Sequence, residues 1–197
     1  MQALPFGERS FLVEVPDAVA ALSLARWVRA SGLAVVDVVP AARTVLLDGV
    51  ADPDGVAAVL GAWRPEERAE PGPLVELAVV YDGADLDDVA QRWGTDAAGV
   101  AERLAGTELV AAFSGFAPGF SYLAGLPDRL AVPRLATPRP RVPAGSVAVA
   151  DTWCGVYPTA SPGGWRLLGH TSAELWDPSR DSPALLAPGT RVRLVPA

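Results

Sequence analysis

Apolar residues recur along the first third of the chain with two different periods. From Ser10 to Val15 they fall at alternate positions, Phe11, Val13 and Val15, the spacing of a strand with one buried face. Pro16 and Asp17 then open a stretch in which Ala18, Ala21, Leu22, Ala25 and Val28 form a helical stripe, and Gly32 stops it. Leu33 to Val39 and Thr44 to Val50 are β-branched runs joined by Pro40 to Arg43, which predicts a hairpin. A second helix follows, with Asp52 as its cap, Pro53 at its first position, and Val56, Val59, Leu60 and Trp63 on one side. Strand, helix, strand, strand, helix is a split βαβ order of the ferredoxin-like kind.

The texture then changes. Arg64 to Pro73 is rich in proline and charge and has no periodic apolar face, so the domain linker is expected there, dividing a small α/β domain at 1–73 from a second domain at 74–197. Leu74 to Tyr81 reads as a strand. Two short helices come next, with stripes at Leu86, Val89, Ala90 and Trp93 and at Ala97, Val100, Ala101 and Leu104. Beyond them, short apolar runs at Leu109 to Phe113, Val147 to Ala150, Trp165 to Leu168 and Arg191 to Val195 are separated by Gly/Pro turns, the pattern of a closed or nearly closed β-barrel.

Composition narrows the chemistry. The 197 residues are half hydrophobic, enough for a full core, and carry a net charge of -7, with all cationic side chains arginine. Nucleic acid is a poor partner for such a chain, because phosphate binding needs a concentrated basic face. The two helices around Gly94 and Thr95 have the outline of a helix-turn-helix, yet Asp82, Asp85, Asp87, Asp88, Asp96 and Glu102 would repel phosphate, so they read as a structural insertion. A single cysteine, Cys154, excludes an internal disulfide, and one histidine with no metal-ligand spacing gives no metal site. Met1 to Val15 lacks a charged n-region followed by an apolar stretch, and no run reaches the ~20 apolar residues of a spanning helix, so a soluble, cytoplasmic protein is expected.

The densest chemistry lies between Phe113 and Thr171, where Gly115-Phe116-Ala117-Pro118-Gly119-Phe120, Arg139-Pro140-Arg141-Val142-Pro143-Ala144-Gly145-Ser146, Tyr157-Pro158, Ser161-Pro162-Gly163-Gly164-Trp165 and Gly169-His170-Thr171 follow one another. Glycine and proline at that density shape loops, the places where a rigid scaffold carries recognition. Phe116, Phe120 and Tyr122 alternate, so a strand-like backbone would turn all three rings to one side, either as packing at a barrel mouth or as a platform for a flat amide, a lactam or a partner's side chain. Arg134, Arg139 and Arg141 lie on a proline-stiffened segment, either a ready anion site or a solvated patch paired with acids. Ser161 to Trp165 lacks the Gly-Lys-Ser/Thr ending and helix context of a phosphate loop. A triad of Ser146 or Ser161 with His170 and Asp177 is conceivable by residue type, but no Gly-x-Ser-x-Gly elbow is present; no catalytic residue is assigned. Cys154 reads as a buried small hydrophobe, with no cationic neighbour in sequence to activate it.

Gly-Phe-Ala-Pro-Gly-Phe, Arg-Val-Pro-Ala-Gly-Ser-Val and Ser-Pro-Gly-Gly-Trp, in this order, resemble the family of 5-oxoprolinase B subunits, which also includes the kinase A inhibitor and allophanate hydrolase subunit 1 types. The likeness runs from Val35 to the C-terminus. It implies an α+β, ferredoxin-like N-terminal domain followed by a mostly-β, cyclophilin-like barrel. It implies a hydrolase subunit of an ATP-dependent 5-oxoprolinase, opening the lactam of 5-oxoproline to glutamate together with the A and C subunits of that enzyme. ATP with magnesium would be used by the complex and not bound by this chain alone. The implied substrate- or partner-binding residues are Phe116, Pro118, Gly119, Phe120, Tyr122, Arg139, Arg141, Pro143, Ser146, Tyr157, Ser161, Gly163, Gly164, Trp165, His170 and Thr171, with Arg139 and Arg141 as anion contacts. The family also implies two other roles: a non-catalytic regulator that binds and inhibits a histidine kinase, or a subunit in urea or allophanate metabolism. This chain departs from the family pattern at Asp151 to Gly155, where Gly-Gly-Gln-Thr-Gly is usual, at His170 in place of Arg, and at Ala105-Gly106 in place of a His.

Overall fold

The computed structural model describes residues 2–64 and 72–197, and the chain divides into two compact units, Met1–Pro71 and Gly72–Ala197. Residues 65–71, most of the expected linker, lie outside the described residues.

The first unit runs β1 (Gln2–Pro5), β2 (Phe11–Glu14), α1 (Ala18–Ala30), β3 (Asp37–Pro40), β4 (Thr44–Asp48) and α2 (Pro53–Ala62), with an antiparallel sheet in the order β1-β2-β4-β3. Asp17 starts α1 by accepting the Ala20 N–H at 2.8 Å, and Pro53 starts α2 with its fixed φ, Asp52 making no side-chain cap bond. Val13, Val38, Val45 and Leu47 on one sheet face pack on Ala21, Leu24, Ala25 and Val28 of α1 and on Val56 and Leu60 of α2. Two expectations need correction. The strand predicted from Leu33 begins only at Asp37, because its partner β4 ends at Asp48 and Gly49, at φ +61°, turns the chain away. The edge beside β2, which a split βαβ sheet gives to a strand after the second helix, is filled instead by β1. Four residues with Pro5 at the end suit only an edge, and they carry no alternation that would announce them.

The second unit is a nearly closed barrel. Its elements are β5 (Leu74–Val79), α3 (Leu86–Arg92), α4 (Ala97–Ala105), β6 (Leu109–Ser114), β7 (Ser121–Ala124), β8 (Arg139–Val142), β9 (Ser146–Ala150), β10 (Trp153–Val156), β11 (Ser161–Gly163), β12 (Arg166–His170) and β13 (Arg191–Pro196). Seven of these strands form one sheet, β12-β9-β10-β7-β6-β13-β5, antiparallel except for the β13/β5 pair; β11 and β8 form a separate ribbon. Just past β5, Val80 and His170 exchange two backbone hydrogen bonds of 2.9 Å, bringing the edge strands β5 and β12 together. Gly169 is required at that seam, since a Cβ there would lie 2.1 Å from the Val80 carbonyl oxygen.

Leu77, Leu109, Leu123, Val147, Val149, Leu168 and Leu194 fill the barrel, and Val89, Trp93, Val100 and Leu104 from α3 and α4 belong to the same core. Trp93 donates its indole N–H to the Leu130 carbonyl at 2.9 Å. The helix pair thus spends its apolar stripes on the barrel. No helix among the described residues is long and apolar enough to cross a membrane.

Candidate functional site

Strand β9 faces two ways. Val147 and Val149 point into the barrel, while Ala148 and Ala150 join a second apolar cluster with Phe120, Val142, Tyr157, Trp165 and Leu167 on the opposite side of the sheet. Small residues are needed there because rings occupy the space: a Cβ on Gly155 of β10 would approach Phe120 and Trp165 to 3.0 and 3.1 Å. The β8/β11 ribbon contributes Val142 to this cluster and, with Pro162 and Gly163, a wall of the notch described next. Burying rings of 150–250 Å² each, with edge-to-face contacts of about 0.5–1.5 kcal/mol per pair, fixes this ring cluster firmly.

The rings do converge, but not through a strand. Residues 115–120 form a tight turn with the Phe120 N–H on the Ala117 carbonyl at 3.0 Å, and Phe116 adopts φ 72°. A left-handed backbone at a bulky residue costs about 1–2 kcal/mol and persists only where the surroundings enforce it. Its ring, 62% exposed, meets Phe120 at 5.4 Å and Tyr157 at 6.2 Å, while Phe120 meets Tyr122 at 5.2 Å and Trp165 at 5.6 Å. Alternation along the sequence predicted the grouping and missed the turn that makes it.

Phe116, Phe120, Tyr122, Tyr157, Pro162, Gly163 and Trp165 line a notch of about 50 Å³ with one cation, Arg134, at its wall. No hydrogen bond or ion pair joins the Arg134 side chain to a described residue. Burial raises the Tyr157 hydroxyl above its ordinary pKa, opposed by the Trp165 backbone and by the positive charge of Arg134 and Arg139. Tyr157 therefore offers a neutral O–H beside a guanidinium. Gly163 has no alternative, because a Cβ would lie 2.4 Å from the Tyr157 oxygen. The Ser161 hydroxyl is buried without a hydrogen-bond partner among the described residues. Such a notch admits a ring edge or a small planar group and offers one cationic contact to an anion.

Carboxylates from α3 hold this wall in place. Asp85 occupies the N-cap position but caps nothing; its Oδ1 accepts Arg139 Nη2 at 2.7 Å and its Oδ2 accepts the Leu167 N–H at 2.7 Å. Asp88 pairs with Arg92 and with the buried Arg166, whose Nε donates to the Pro133 carbonyl, one residue before Arg134. Arg139, expected as an anion contact, is thus already engaged, donating also to the Trp165 carbonyl at 3.4 Å. Arg141 is exposed and lines neither cavity. Sequence reasoning grouped Arg134 with the other two arginines without singling it out, and read Asp85 and Asp88 only as an acidic helix surface. Asp85 finds Arg139 and Leu167 at 54 and 82 residues away in sequence and Asp88 finds Arg166 at 78, so no local pattern reveals these partners.

A larger cleft of about 550 Å³ lies on the other side of the Phe116 turn, lined by Pro118, Ala144, Gly145, Pro158, Thr159 and the Thr171–Trp176 segment. Pro118 and Thr171 therefore belong to the cleft and not to the ring notch. Gly119, at φ +82°, packs against Trp176 and Leu175, and Gly145 is fixed by its N–H on the Tyr157 carbonyl at 2.7 Å and by Thr171 donating to its own carbonyl at 2.9 Å. Pro143 is exposed beside that turn. Ser146 is buried, and the Gly164 carbonyl accepts the Leu135 N–H at 2.8 Å.

His170 stands at the barrel seam, its Nδ1 2.9 Å from Asp82 Oδ1, whereas Asp177 accepts from Ser179 and pairs with Arg180. The Ser-His-Asp arrangement is not assembled. Cys154 is fully buried, with its thiol pushed up to about 12 by burial. Among the described residues no cluster of His, Cys, Asp or Glu is placed to hold a metal.

The carboxyltransferase domain, subdomain C and D, matches residues 1–186 of the chain. The 5-oxoprolinase B subunit of Escherichia coli O157:H7 is 50% identical over 138 residues, 68% of this chain and 63% of that protein. The 5-oxoprolinase B subunit of Bacillus subtilis (strain 168) is 42% identical over 125 residues, 62% of this chain and 52% of that protein. The chain thus spans between about half and two thirds of the length of these relatives. Among solved structures, TTHA0988 superposes with a TM-score of 0.80 at 37% identity, over 96% of this chain and 40% of that one. The urea amidolyase of K. lactis gives a TM-score of 0.69 at 18% identity, over 99% of this chain and 15% of that one, a likeness of fold alone.

Proposed function

The chain belongs to the carboxyltransferase domain, subdomain C and D family, and from that premise we propose that it is the B subunit of an ATP-dependent 5-oxoprolinase, acting with the A and C subunits. The N-terminal unit is then a variant of the ferredoxin-like plan and the barrel is of the cyclophilin-like kind. The observation that carries the functional reading is the ring-walled notch, lined from two of the three phrases that mark the family, Gly115 to Phe120 and Ser161 to Trp165, and holding Arg134 at its wall.

The substrate fits that chemistry. 5-Oxoproline is a flat five-membered lactam bearing a carboxylate, so one edge of its ring can enter among Phe120, Tyr122 and Trp165 while Arg134 takes the carboxylate. An unactivated lactam is a poor electrophile, and ATP supplies the remedy by phosphorylating the amide oxygen, which creates a leaving group. The ring notch, at about 50 Å³, is too small for a nucleotide, and the chain has no lysine and no Gly-Lys-Ser/Thr loop; in this reading ATP and magnesium are used by the complex and not bound by this chain alone. This chain orients the ring, neutralises the carboxylate and excludes water from one side of the amide. Reconstitution tests the reading: the three subunits together with ATP and 5-oxoproline yield glutamate, and each omission abolishes it. A complete set that makes no glutamate refutes the assignment.

A further inference from the structure

The register of the first unit places every second residue of its four strands on the face away from α1 and α2. Three rows cross that face. Leu4 lies opposite Leu12, Leu12 opposite Leu46, and Leu46 opposite Val39, a continuous apolar row spanning all four strands. On one side of it runs Gln2, Glu14 and Thr44; on the other, Asp48 faces Asp37 directly, with Ser10 donating its hydroxyl to Asp48 at 2.6 Å. Leu4, Leu12 and Leu46 are half-buried and stand outside the core formed with the helices, and Val39 is 40% exposed.

Two features of this face are unexplained by the unit's own packing. Four apolar side chains aligned across a whole sheet exceed the scattered surface hydrophobes of an ordinary domain. Asp37 and Asp48, both exposed, are like charges directly opposite each other on adjacent strands, an arrangement that destabilises a sheet. Among the described residues neither carboxylate has a cation within ion-pair distance. A basic group supplied from outside would relieve that repulsion, and an apolar ridge would cover the row beside it. A second copy of this chain is a poor occupant, because it would bring Glu14, Asp37 and Asp48 against themselves.

We infer that this sheet face is a protein-docking surface whose occupant is a different subunit, presenting an apolar ridge edged by Arg or Lys. For the partner's identity the inference rests on the complex proposed above. The occupant covers the Leu12-Leu46 row and places its cations over the Asp37/Asp48 pair and toward Glu14.

The test is calorimetric titration of the full chain with the purified A and C subunits, one at a time and at two salt concentrations, followed by glutamate production from the complete set. Wild-type chain binds one of them, more weakly at high salt. Val39→Asp and the double variant Asp37→Lys/Asp48→Lys each weaken that binding tenfold or more; the latter exchanges one like-charge pair for another at two exposed positions, so the repulsion within the sheet is kept while the charge offered to the partner is reversed. Leu46→Asp does the same, with circular dichroism of each variant as the folding control. A complex that forms with wild-type affinity in the lysine double variant overturns the inference while the oxoprolinase reading stands. Active turnover by the complete set without measurable binding at this face overturns it equally. No complex with either companion overturns the inference, and the reading falls separately if glutamate is also absent.

Discussion

Removing the Asp85 carboxylate tests the claim that α3 holds the wall of the ring notch. In Asp85→Ala two bonds vanish at once: the 2.7 Å pair with Arg139 and the 2.7 Å acceptor of the Leu167 N–H. Breaking a fully buried pair by deleting one partner costs about 3–5 kcal/mol, but the Arg139 side chain is 26% exposed and can turn toward water, which reduces this to about 2 kcal/mol. The Leu167 N–H, left without an acceptor inside the sheet, adds about 1–2 kcal/mol. The sum is about 3–4 kcal/mol, or roughly 10 °C in Tm for a unit of this size. Asp85→Asn keeps an acceptor for Leu167 and loses only the charge, so it falls by about half as much, and combining it with Arg139→Ala gives a loss smaller than the sum of the two by about 1 kcal/mol. Denaturant unfolding followed by tryptophan fluorescence and near-UV circular dichroism measures all four. A loss below about 1 kcal/mol in Asp85→Ala, or strict additivity of the pair, refutes the positioning argument.

Three further outcomes follow from particular contacts. Gly169→Ala forces a Cβ to 2.1 Å from the Val80 carbonyl at the barrel seam and lowers stability by about 3 kcal/mol in the same unfolding assay. Phe116→Asn relieves the φ 72° backbone of a largely exposed ring, so stability holds or rises by about 1 kcal/mol while turnover in the complete complex falls; a destabilised variant with full turnover contradicts the assigned role. Burial pushes the Cys154 thiol from 9.0 to about 12, so its contribution to stability is intact below pH 9 and is lost as pH rises from 9 toward 12, when the unfolded thiol ionises first. Denaturation curves across that range show the decline, Cys154→Ala lessens it, and a thiol reagent at pH 8 labels the native protein only as fast as it unfolds.

Much of this architecture was legible in the sequence, and the exceptions share a cause. The stripes of α1, α3 and α4 and the runs at Leu109, Val147 and Arg191 announce themselves by local periodicity. Strands β8 and β11 do not, because Arg139–Val142 and Ser161–Gly163 hold their conformation through each other and through the rings beneath them. Phe116, Phe120 and Tyr122 were grouped correctly on a wrong premise: a left-handed turn gathers them. The arginines show the limit most clearly. Residue type offers Arg134, Arg139 and Arg141 as equals and the family resemblance favours Arg139 and Arg141; only the long-range carboxylate Asp85 separates the engaged Arg139 from Arg134 at the notch wall.

The most direct measurement is ATP-dependent glutamate formation from 5-oxoproline by the complete set of subunits carrying Arg134→Ala, with Arg141→Ala alongside. The account predicts that the first raises KM at least tenfold, as loss of a charge-assisted contact worth about 1.5–3 kcal/mol requires, and that the second leaves kcat/KM within about twofold, since surface substitutions away from a site act weakly. Wild-type kinetics in the Arg134 variant would contradict it.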